Sequence, residues 1–384
     1  MSIPNSSNSI ADADNVRSDT SFESSETCWV DSSREYTYDL QALKDDLLNL
    51  HGLDWDENLQ TLEATIPPNA CALIPPFYIQ VFVAGEGAMG AVWFCLPKSF
   101  VLAAKHAKER MSPFSIAKIK SNLVAVKTSE GTYETYPALR EVTALQEVAR
   151  YVEAADDETV PRFALLQAHS SAQRGDESLM PPRPEYWLAM RAAYPALPWD
   201  KVLVEYSAGL DDDILQILIL HVFSESMKSI SFLHERGIFH GDVHAGNVLL
   251  ELTDELPVAC LIDFGLSGSK SDEHRWAPAV EKDYYDLRSS IEFGCGRRTQ
   301  SWLPCNDQVP NWSEFMDSIN SADEDDVAVL RSLLPRARTF LESISPQKKA
   351  DVARSLRSIS EQKENELLAH FRRLGLLPNP LDDF

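Results

Sequence analysis

Residues 239–250 read Phe-His-Gly-Asp-Val-His-Ala-Gly-Asn-Val-Leu-Leu, and residues 261–265 read Leu-Ile-Asp-Phe-Gly. These two stretches supply the carboxylates of Asp242 and Asp263 and the side-chain amide of Asn247. Asp242 can accept a proton from a hydroxyl group, whereas Asn247 and Asp263 offer the hard oxygens that magnesium prefers. One base and two magnesium ligands at this spacing predict a site for phosphoryl transfer.

A glycine-rich stretch lies upstream, where residues 81–93 read Val-Phe-Val-Ala-Gly-Glu-Gly-Ala-Met-Gly-Ala-Val-Trp. Its glycines would let a hairpin backbone close over phosphates. The same pattern opens a dinucleotide-binding unit when a helix follows it. Here residues 91–96 continue as a second apolar run, which favours the hairpin. The predicted nucleotide-binding positions are Ala84, Gly85, Glu86, Gly87, Ala88, Met89, Gly90 and, over the adenine face, Val92.

A buried-strand pattern, Leu-Val-Ala-Val-Lys, ends in Lys127, and a helix with an apolar face follows it. An isolated lysine at a strand end is usually a solvated edge residue. This lysine instead lies between the glycine-rich stretch and an acidic helix, so Glu141 is predicted to pair with Lys127 beside the phosphates. Glu147 is the competing partner. Glu141 is preferred because Leu145 lies one turn after it on the same inward face.

Residues 76–345 resemble the protein-kinase-like superfamily, because four motifs follow one another along the chain. They are the glycine-rich stretch, the strand ending in Lys127, the helix with Glu141, and the stretch from Phe239 to Gly265. The resemblance implies an α+β fold with two lobes, a small lobe around an antiparallel β-sheet and a helical large lobe. It also implies that ATP and magnesium bind in the cleft between the lobes. The implied catalytic residues are Lys127, Glu141 and the base Asp242, and the implied magnesium ligands are Asn247 and Asp263.

Other positions take roles from the same resemblance. Met190 is predicted to precede the hinge, and residues 191–193 would offer backbone groups to adenine. Ala125 is a further predicted nucleotide contact. The hydrophobic stack that marks the active arrangement would contain Leu145, His240 and Phe264.

Several positions depart from the protein-kinase pattern. Gly241 replaces the family's arginine, so a phosphorylated loop would lack its usual cationic partner. His244 follows the base by two positions, and the string around it is similar to that of aminoglycoside and choline phosphotransferases. The short segment before residues 276–279, Trp-Ala-Pro-Ala, argues against a conventional peptide-docking loop. Residues 286–289 resemble the start of the buried central helix of the large lobe in this superfamily. In the superfamily an aspartate of that helix braces the backbone of the catalytic loop, and the resemblance gives this role to Asp286.

Three functions remain open. A protein Ser/Thr hydroxyl is the preferred acceptor, because the glycine-rich stretch and the strand ending in Lys127 are closer to protein kinases. A small-molecule kinase acting on an amino alcohol or sugar is the first alternative. A nucleotide-binding pseudokinase scaffold is the second, and it is disfavoured because no ionic member of the site is missing.

Charge and composition restrict the partners. The chain of 384 residues carries 35 Lys and Arg against 59 Asp and Glu, a formal net charge of −24. Such a chain should repel nucleic acid and anionic membranes, so no nucleic-acid partner is predicted. The predicted partner is a protein substrate, in line with the preferred acceptor. No apolar run approaches the ~20 residues of a membrane span, and no secretory signal is recognised, so cytoplasm or nucleus is predicted. Nothing in the sequence indicates an oligomeric state.

The predicted organisation has five parts. Residues 1–35 are a disordered segment, 36–75 a helical extension, 76–190 the small lobe, 191–345 the large lobe, and 346–384 a helical extension with a loosely held tail.

Two insertions interrupt the predicted small lobe. Residues 97–122 form a basic island that would either steer an acidic substrate or, the favoured reading, pair with the chain's own carboxylates. Residues 169–184 are predicted to form a mobile loop.

Overall fold

The computed structural model describes residues 69, 71, 74–87, 90–106, 113–129, 135–155, 160–170, 186–299, 312–321 and 326–378. The predicted disordered segment, residues 1–35, lies outside these ranges, as do most of the helical extension 36–75 and most of the loop 169–184.

Five antiparallel strands form the first sheet, in the order β1, β2, β3, β6 and β5. Their bounds are β1 Tyr78–Gly87, β2 Gly90–Pro97, β3 Val124–Ser129, β5 Leu166–His169 and β6 Tyr186–Arg191. Gly87 pairs with Gly90, so β1 and β2 form the predicted hairpin and not a strand followed by a helix. Their aromatic and β-branched residues suit a half-buried pleated surface. This sheet is the core of the small lobe.

Among the described residues, three helices accompany the small-lobe sheet. Helix α3, Thr135–Ala154, follows β3 and contacts β5. The basic island between β2 and β3 forms two short helices, α1 Lys98–His106 and α2 Pro113–Ser121. Lys120 of α2 forms an ion pair with Glu364 near the C-terminus. For this lysine, pairing with the chain's own carboxylate is therefore the observed role.

The described part of the large lobe contains two further sheets. Strands β4 Arg162–Phe163, β10 Val258–Leu261, β9 Val248–Glu251 and β7 Ala196–Pro198 form one sheet in that order, and β8 Ile238–Phe239 pairs with β11 Gly268–Ser269. Because β6 ends the first sheet at Arg191 and β7 begins in the second at Ala196, residues 192–195 connect the two lobes.

Most of the described large lobe is helical. Its helices are α4 Trp199–Lys201, α5 Asp212–Glu235, α6 Glu273–Thr299, α7 Trp312–Ser321, α8 Asp326–Ser343 and α9 Pro346–Arg373. Helix α5 is buried on most of its circumference, as expected for a helix with apolar residues all round, and α6 and α8 pack against it. Helix α6 begins only ten residues after Asp263, and residues 276–279 already lie within it.

Helix α9 contacts both lobes. Val352 and Leu356, in its first half, belong to the large-lobe core. Leu367 and Phe371, in its second half, belong to a separate buried cluster with small-lobe residues. That cluster, which we call the strap cluster, contains Ile79, Val81, Leu96, Phe100, Val101, Ile119, Leu123, Leu367, Phe371, Leu374, Leu376 and Leu377.

The prediction of a loosely held tail is wrong for the residues that directly follow α9. Leu374, Leu376 and Leu377 are buried against the small lobe. The tail prediction relied on nearby prolines and acidic residues, whereas burial of these leucines is favourable enough to hold this stretch in place. Residues 379–384 lie outside the described ranges. Within the described ranges, no helix combines the length and apolarity needed to cross a bilayer.

Candidate active site

Lys127 lies at the centre of an ionic cluster in the cleft. Its ammonium donates hydrogen bonds to Glu141 Oε2 at 2.8 Å, to Glu141 Oε1 at 3.0 Å and to Asp263 Oδ1 at 2.9 Å. The lysine comes from β3, the glutamate from α3 and the aspartate from the loop after β10. Three distant parts of the sequence therefore meet at one cation, and Glu141, not Glu147, faces the lysine.

Burial and charge act in opposite directions on these three groups. Burial works against the charge of Lys127, but the two carboxylates outweigh it and raise the pKa of the ammonium. Burial raises the pKa of the Glu141 carboxyl, and Lys127 only partly offsets that effect. Burial would also raise the pKa of Asp263, yet Lys127 and the Gly265 amide hold it below its usual value. Asp263 thus stays ionised, as a magnesium ligand must.

The backbone of Asp263 is also unusual. Its φ of 62° is in the left-handed region, which non-glycine residues seldom adopt. The Lys127 ammonium and the Gly265 amide, which donates to Oδ1 at 3.3 Å, hold the carboxylate in this conformation. Conformations of this kind occur most often at functional sites.

Asp242 and Asn247 lie together in the loop between β8 and β9. The side-chain amide of Asn247 donates to the Asp242 carbonyl at 2.9 Å and to Asp242 Oδ2 at 3.0 Å. With both hydrogens of Nδ2 used in this way, Oδ1 of Asn247 stays available to a cation. The Ile262 amide donates to the Asn247 carbonyl at 2.9 Å, so the loop is tied to the residue next to Asp263.

Asn247 and Asp263 fit the requirements of magnesium. Both supply hard oxygens, and magnesium commonly takes one or two protein ligands while water and substrate phosphates complete its octahedron. In the part of the chain that the structure describes, no cluster of three or more His, Cys, Asp or Glu side chains is arranged to hold a metal alone. The two hard oxygens of Asn247 and Asp263 suit a metal that arrives with a phosphate ligand.

Asp283 braces the loop that carries Asp242. Its Oδ1 accepts from the Gly241 amide at 2.6 Å, and its Oδ2 accepts from the His240 amide and from His234 Nε2, both at 2.9 Å. The prediction that Asp286 has this role is wrong. Asp286 instead pairs with Lys282. Both aspartates lie on α6 one turn apart, and only the orientation of the helix decides which one is buried.

The predicted hydrophobic stack is buried beneath the cluster. The rings of His240 and Phe264 have centroids 4.7 Å apart, and both residues are fully buried. Leu145 belongs to the same core. His240 Nδ1 accepts from the Asp242 amide, which leaves Nε2 to donate to the Ile262 carbonyl, and burial lowers the pKa of the imidazole.

The predicted nucleotide-binding residues lie on neighbouring strands. Val92 is paired with Lys127, and Ala125 is paired with Met190, across the sheet. Ala84, Gly85, Glu86, Gly87 and Gly90 form the end of the β1–β2 hairpin, and Ala88 and Met89 lie outside the described residues. Met190 lies one residue before the end of β6, so the connection between the lobes follows it almost directly.

Comparison with known proteins gives three matches. The model of a phosphotransferase enzyme family, APH, matches residues 137–270, which include Glu141, Asp242, Asn247 and Asp263 but not Lys127. The chain is 30% identical over 97 residues to a probable serine/threonine-protein kinase, YbdM, of Bacillus subtilis, covering 23% of this chain and 36% of that protein. It is 31% identical over 81 residues to the serine/threonine-protein kinase chk1 of Schizosaccharomyces pombe, covering 21% of this chain and 14% of that protein.

The match to the phosphotransferase enzyme family and the similarity to two serine/threonine-protein kinases support assignment of this chain to the protein-kinase-like superfamily. The two-lobed α+β architecture is consistent with that assignment. The chain spans about a third of one curated relative and about a seventh of the other, so their activities are not assigned to it directly.

Proposed function

We propose that this protein-kinase-like chain is an ATP- and magnesium-dependent phosphotransferase that phosphorylates a hydroxyl group. The observation that carries the proposal is the contact between Lys127 and Asp263 at 2.9 Å, across 136 positions of sequence. It brings a candidate phosphate anchor and a candidate magnesium ligand together beside the Asp242–Asn247 pair. A site of this kind catalyses by positioning and by stabilising charge.

Each residue of the site would have its own role in phosphate transfer. The Lys127 ammonium, held by Glu141, would bind phosphate oxygens, and Asp242 would accept the proton of the acceptor hydroxyl. The new bond would form between the acceptor oxygen and the γ-phosphorus, while the bond from that phosphorus to the ADP oxygen breaks. Magnesium on Asn247 and Asp263 would neutralise the charge of the phosphates.

A small-molecule hydroxyl is the acceptor that the geometry favours. Only residues 266–272 separate the Asp-Phe-Gly motif from α6, and they include the two-residue strand β11. In protein kinases the segment after this motif carries the activation loop. So short a connection offers little surface for an extended peptide. The match to the phosphotransferase enzyme family over residues 137–270 supports the same choice.

A protein Ser or Thr remains the second candidate acceptor. The glycine-rich hairpin and the strand ending in Lys127 support it, as do the names of the two serine/threonine-protein kinases to which the chain is similar.

Transfer from labelled ATP tests the proposal and separates the acceptors. The purified protein, with magnesium, should label small amino alcohols or sugars, and label on protein bands of a mixed lysate would select the second candidate. Asp242→Asn should abolish transfer but still bind ATP, because the change removes the base and no metal ligand. Full activity of Asp242→Asn would refute the assignment of the base. If the unaltered chain binds ATP but transfers phosphate to no acceptor, it would be a pseudokinase.

A further inference from the structure

His244 lies beside the candidate base and has a fixed set of neighbours. Its side chain is half exposed in the cleft, with 51% of its surface accessible, and follows Asp242 by two positions. Its Nδ1 lies 3.1 Å from the Gly246 amide nitrogen, and its Nε2 lies 3.4 Å from Asp242 Oδ2. The role of this imidazole is not explained by the motifs that imply phosphoryl transfer.

The hydrogen position on the ring follows from the fixed donors around it. A backbone amide can only donate, so the Gly246 amide requires Nδ1 of His244 to be the acceptor. The ring hydrogen must then be on Nε2.

Asn247 leads to the same assignment. Its Nδ2 is 3.1 Å from Nε2 of His244, but its two hydrogens are accepted by the carbonyl and Oδ2 of Asp242. Nε2 of His244 therefore has Asp242 Oδ2 as the acceptor within reach. The distance of 3.4 Å is long, as such contacts often are before substrate binds.

Gly246 permits this placement of the ring. A Cβ atom at position 246 would lie 2.9 Å from Cε1 and 3.1 Å from Nδ1 of His244. Contacts that short would displace the imidazole. The ring is thus held between the Gly246 backbone and the Asp242 carboxylate, and it cannot turn away without losing both contacts.

We infer that His244 is a positioning residue that holds Asp242 for proton transfer, an inference that rests on the proposed function. Nδ2 of Asn247 donates to Oδ2 of Asp242, and Nε2 of His244 lies 3.4 Å from the same oxygen. Among the described residues, Oδ1 of Asp242 accepts no hydrogen bond, so Oδ1 is the atom that receives the hydroxyl proton. Any acceptor, small molecule or protein, would approach this oxygen.

Two substitutions of His244 distinguish a role in holding Asp242 from a role in the turn at Gly246 alone. His244→Asn keeps an oxygen near the place of Nδ1, which can accept from Gly246, but loses the donor to Asp242. His244→Gln reaches the place of Nε2 and keeps a donor there, but loses the acceptor for Gly246. We expect kcat of His244→Asn to fall by about tenfold with KM for ATP unchanged, and His244→Gln to recover most of it.

The opposite order, with Asn active and Gln impaired, would overturn the inference and assign His244 to the turn alone. Equal kcat for wild type and His244→Asn would overturn it as well. An unchanged unfolding midpoint in both variants shows that the comparison is made between folded proteins.

A second readout does not need turnover. Histidine-selective ¹⁵N NMR of the neutral ring should show His244 with its hydrogen on Nε2, and the His244→Gln variant identifies the signal. A hydrogen on Nδ1 would contradict the inference even if the enzyme is active. If the wild type transfers no phosphate, the proposed function fails, and the tautomer still decides whether Nε2 of His244 can donate to Asp242.

Discussion

At the scale of single residues, the Lys127 ammonium separates two carboxylates that would otherwise repel each other. Glu141 is 3% exposed, and its carboxylate has Lys127 as its charged partner. Removing one partner of a buried ion pair leaves an uncompensated charge, which costs about 3–5 kcal/mol.

Lys127→Met should therefore destabilise the chain in a pH-dependent way. The pKa of Glu141 is already raised by burial, and the loss of Lys127 raises it further. A carboxyl whose pKa is raised on folding loses stability as the pH rises through the folded pKa, so the variant should unfold more easily at about pH 8 than at about pH 5. Urea denaturation at both values measures this. Lys127→Met combined with Glu141→Gln is the control, and it should lose most of the pH dependence. Equal losses at both pH values for the single variant would contradict the account.

Gly241 shows why the family's arginine is absent at this position. Its φ is +82°, and a Cβ there would lie 2.7 Å from the Leu266 carbonyl oxygen. Both the backbone conformation and the contact disfavour a side chain, so the loop that carries Asp242 requires glycine at this position.

Gly241→Ala should lower the free energy of unfolding by about 1–3 kcal/mol. Gly209→Ala is the matched control, because its Cβ would meet no atom within 4 Å. That control should change stability by less than about 0.5 kcal/mol. Thermal denaturation of the two variants is the measurement, and equal midpoints would show that the loop tolerates a side chain at position 241.

At the scale of secondary-structure elements, α6 holds the loop that carries Asp242 through one buried carboxylate. Asp283 is fully buried and accepts three hydrogen bonds from the loop and from α5. An asparagine would place an amino group against one of these donors.

Asp283→Asn should therefore cost about 3 kcal/mol and lower the rate of transfer. Asp286→Asn, one turn further along α6, loses only a partly exposed pair with Lys282 and should cost less than about 1 kcal/mol. Chemical denaturation and kcat are measured for both variants. If Asp286→Asn were the more damaging change, our assignment of the brace would be wrong.

The sequence predicts the local part of these elements well. Residue type and spacing were enough to predict the hairpin, the pairing of Lys127 with Glu141 and the closeness of Asp242 to Asn247. Spacing could not separate Asp283 from Asp286, because both belong to one helix and only its packing distinguishes them. Lys120 and Glu364 were also beyond prediction, since 244 positions separate them.

At the scale of the whole molecule, α9 joins the two lobes by a route other than the connecting residues 192–195. Lys348 forms an ion pair with Asp213 in the large lobe, and Lys120 of the small lobe forms one with Glu364. Phe371 packs in the strap cluster with Val81 and Leu96 of the β1–β2 hairpin. Motion of the hairpin relative to the large lobe must therefore involve α9.

Phe371→Ala should weaken both the fold and nucleotide binding. The cavity costs about 3–5 kcal/mol, and the loosened hairpin should bind magnesium-ATP less tightly. Leu356→Ala is the matched control on the same helix, because Leu356 is fully buried in the large-lobe core. It should cost about 2–5 kcal/mol without changing nucleotide affinity. Calorimetry of unfolding and of binding tests this at a temperature where both variants are folded, and equal affinities would contradict the coupling.

The packing of α9 could not be predicted from the sequence. Leu367 and Phe371 have the spacing of any amphipathic helix, which indicates that a face is buried but not what covers it. The covering surface comes from β1, β2 and the basic island, far away in sequence.

The most direct test of the central claim is calorimetric titration of the chain with ATP in the presence and absence of magnesium. We predict a single magnesium-dependent site, with affinity reduced by at least about tenfold in Asp263→Asn and nearly unchanged in Asp242→Asn. Binding that ignores magnesium, equal affinity in Asp263→Asn and wild type, or no binding at millimolar ATP would contradict the claim that these side chains form one nucleotide site.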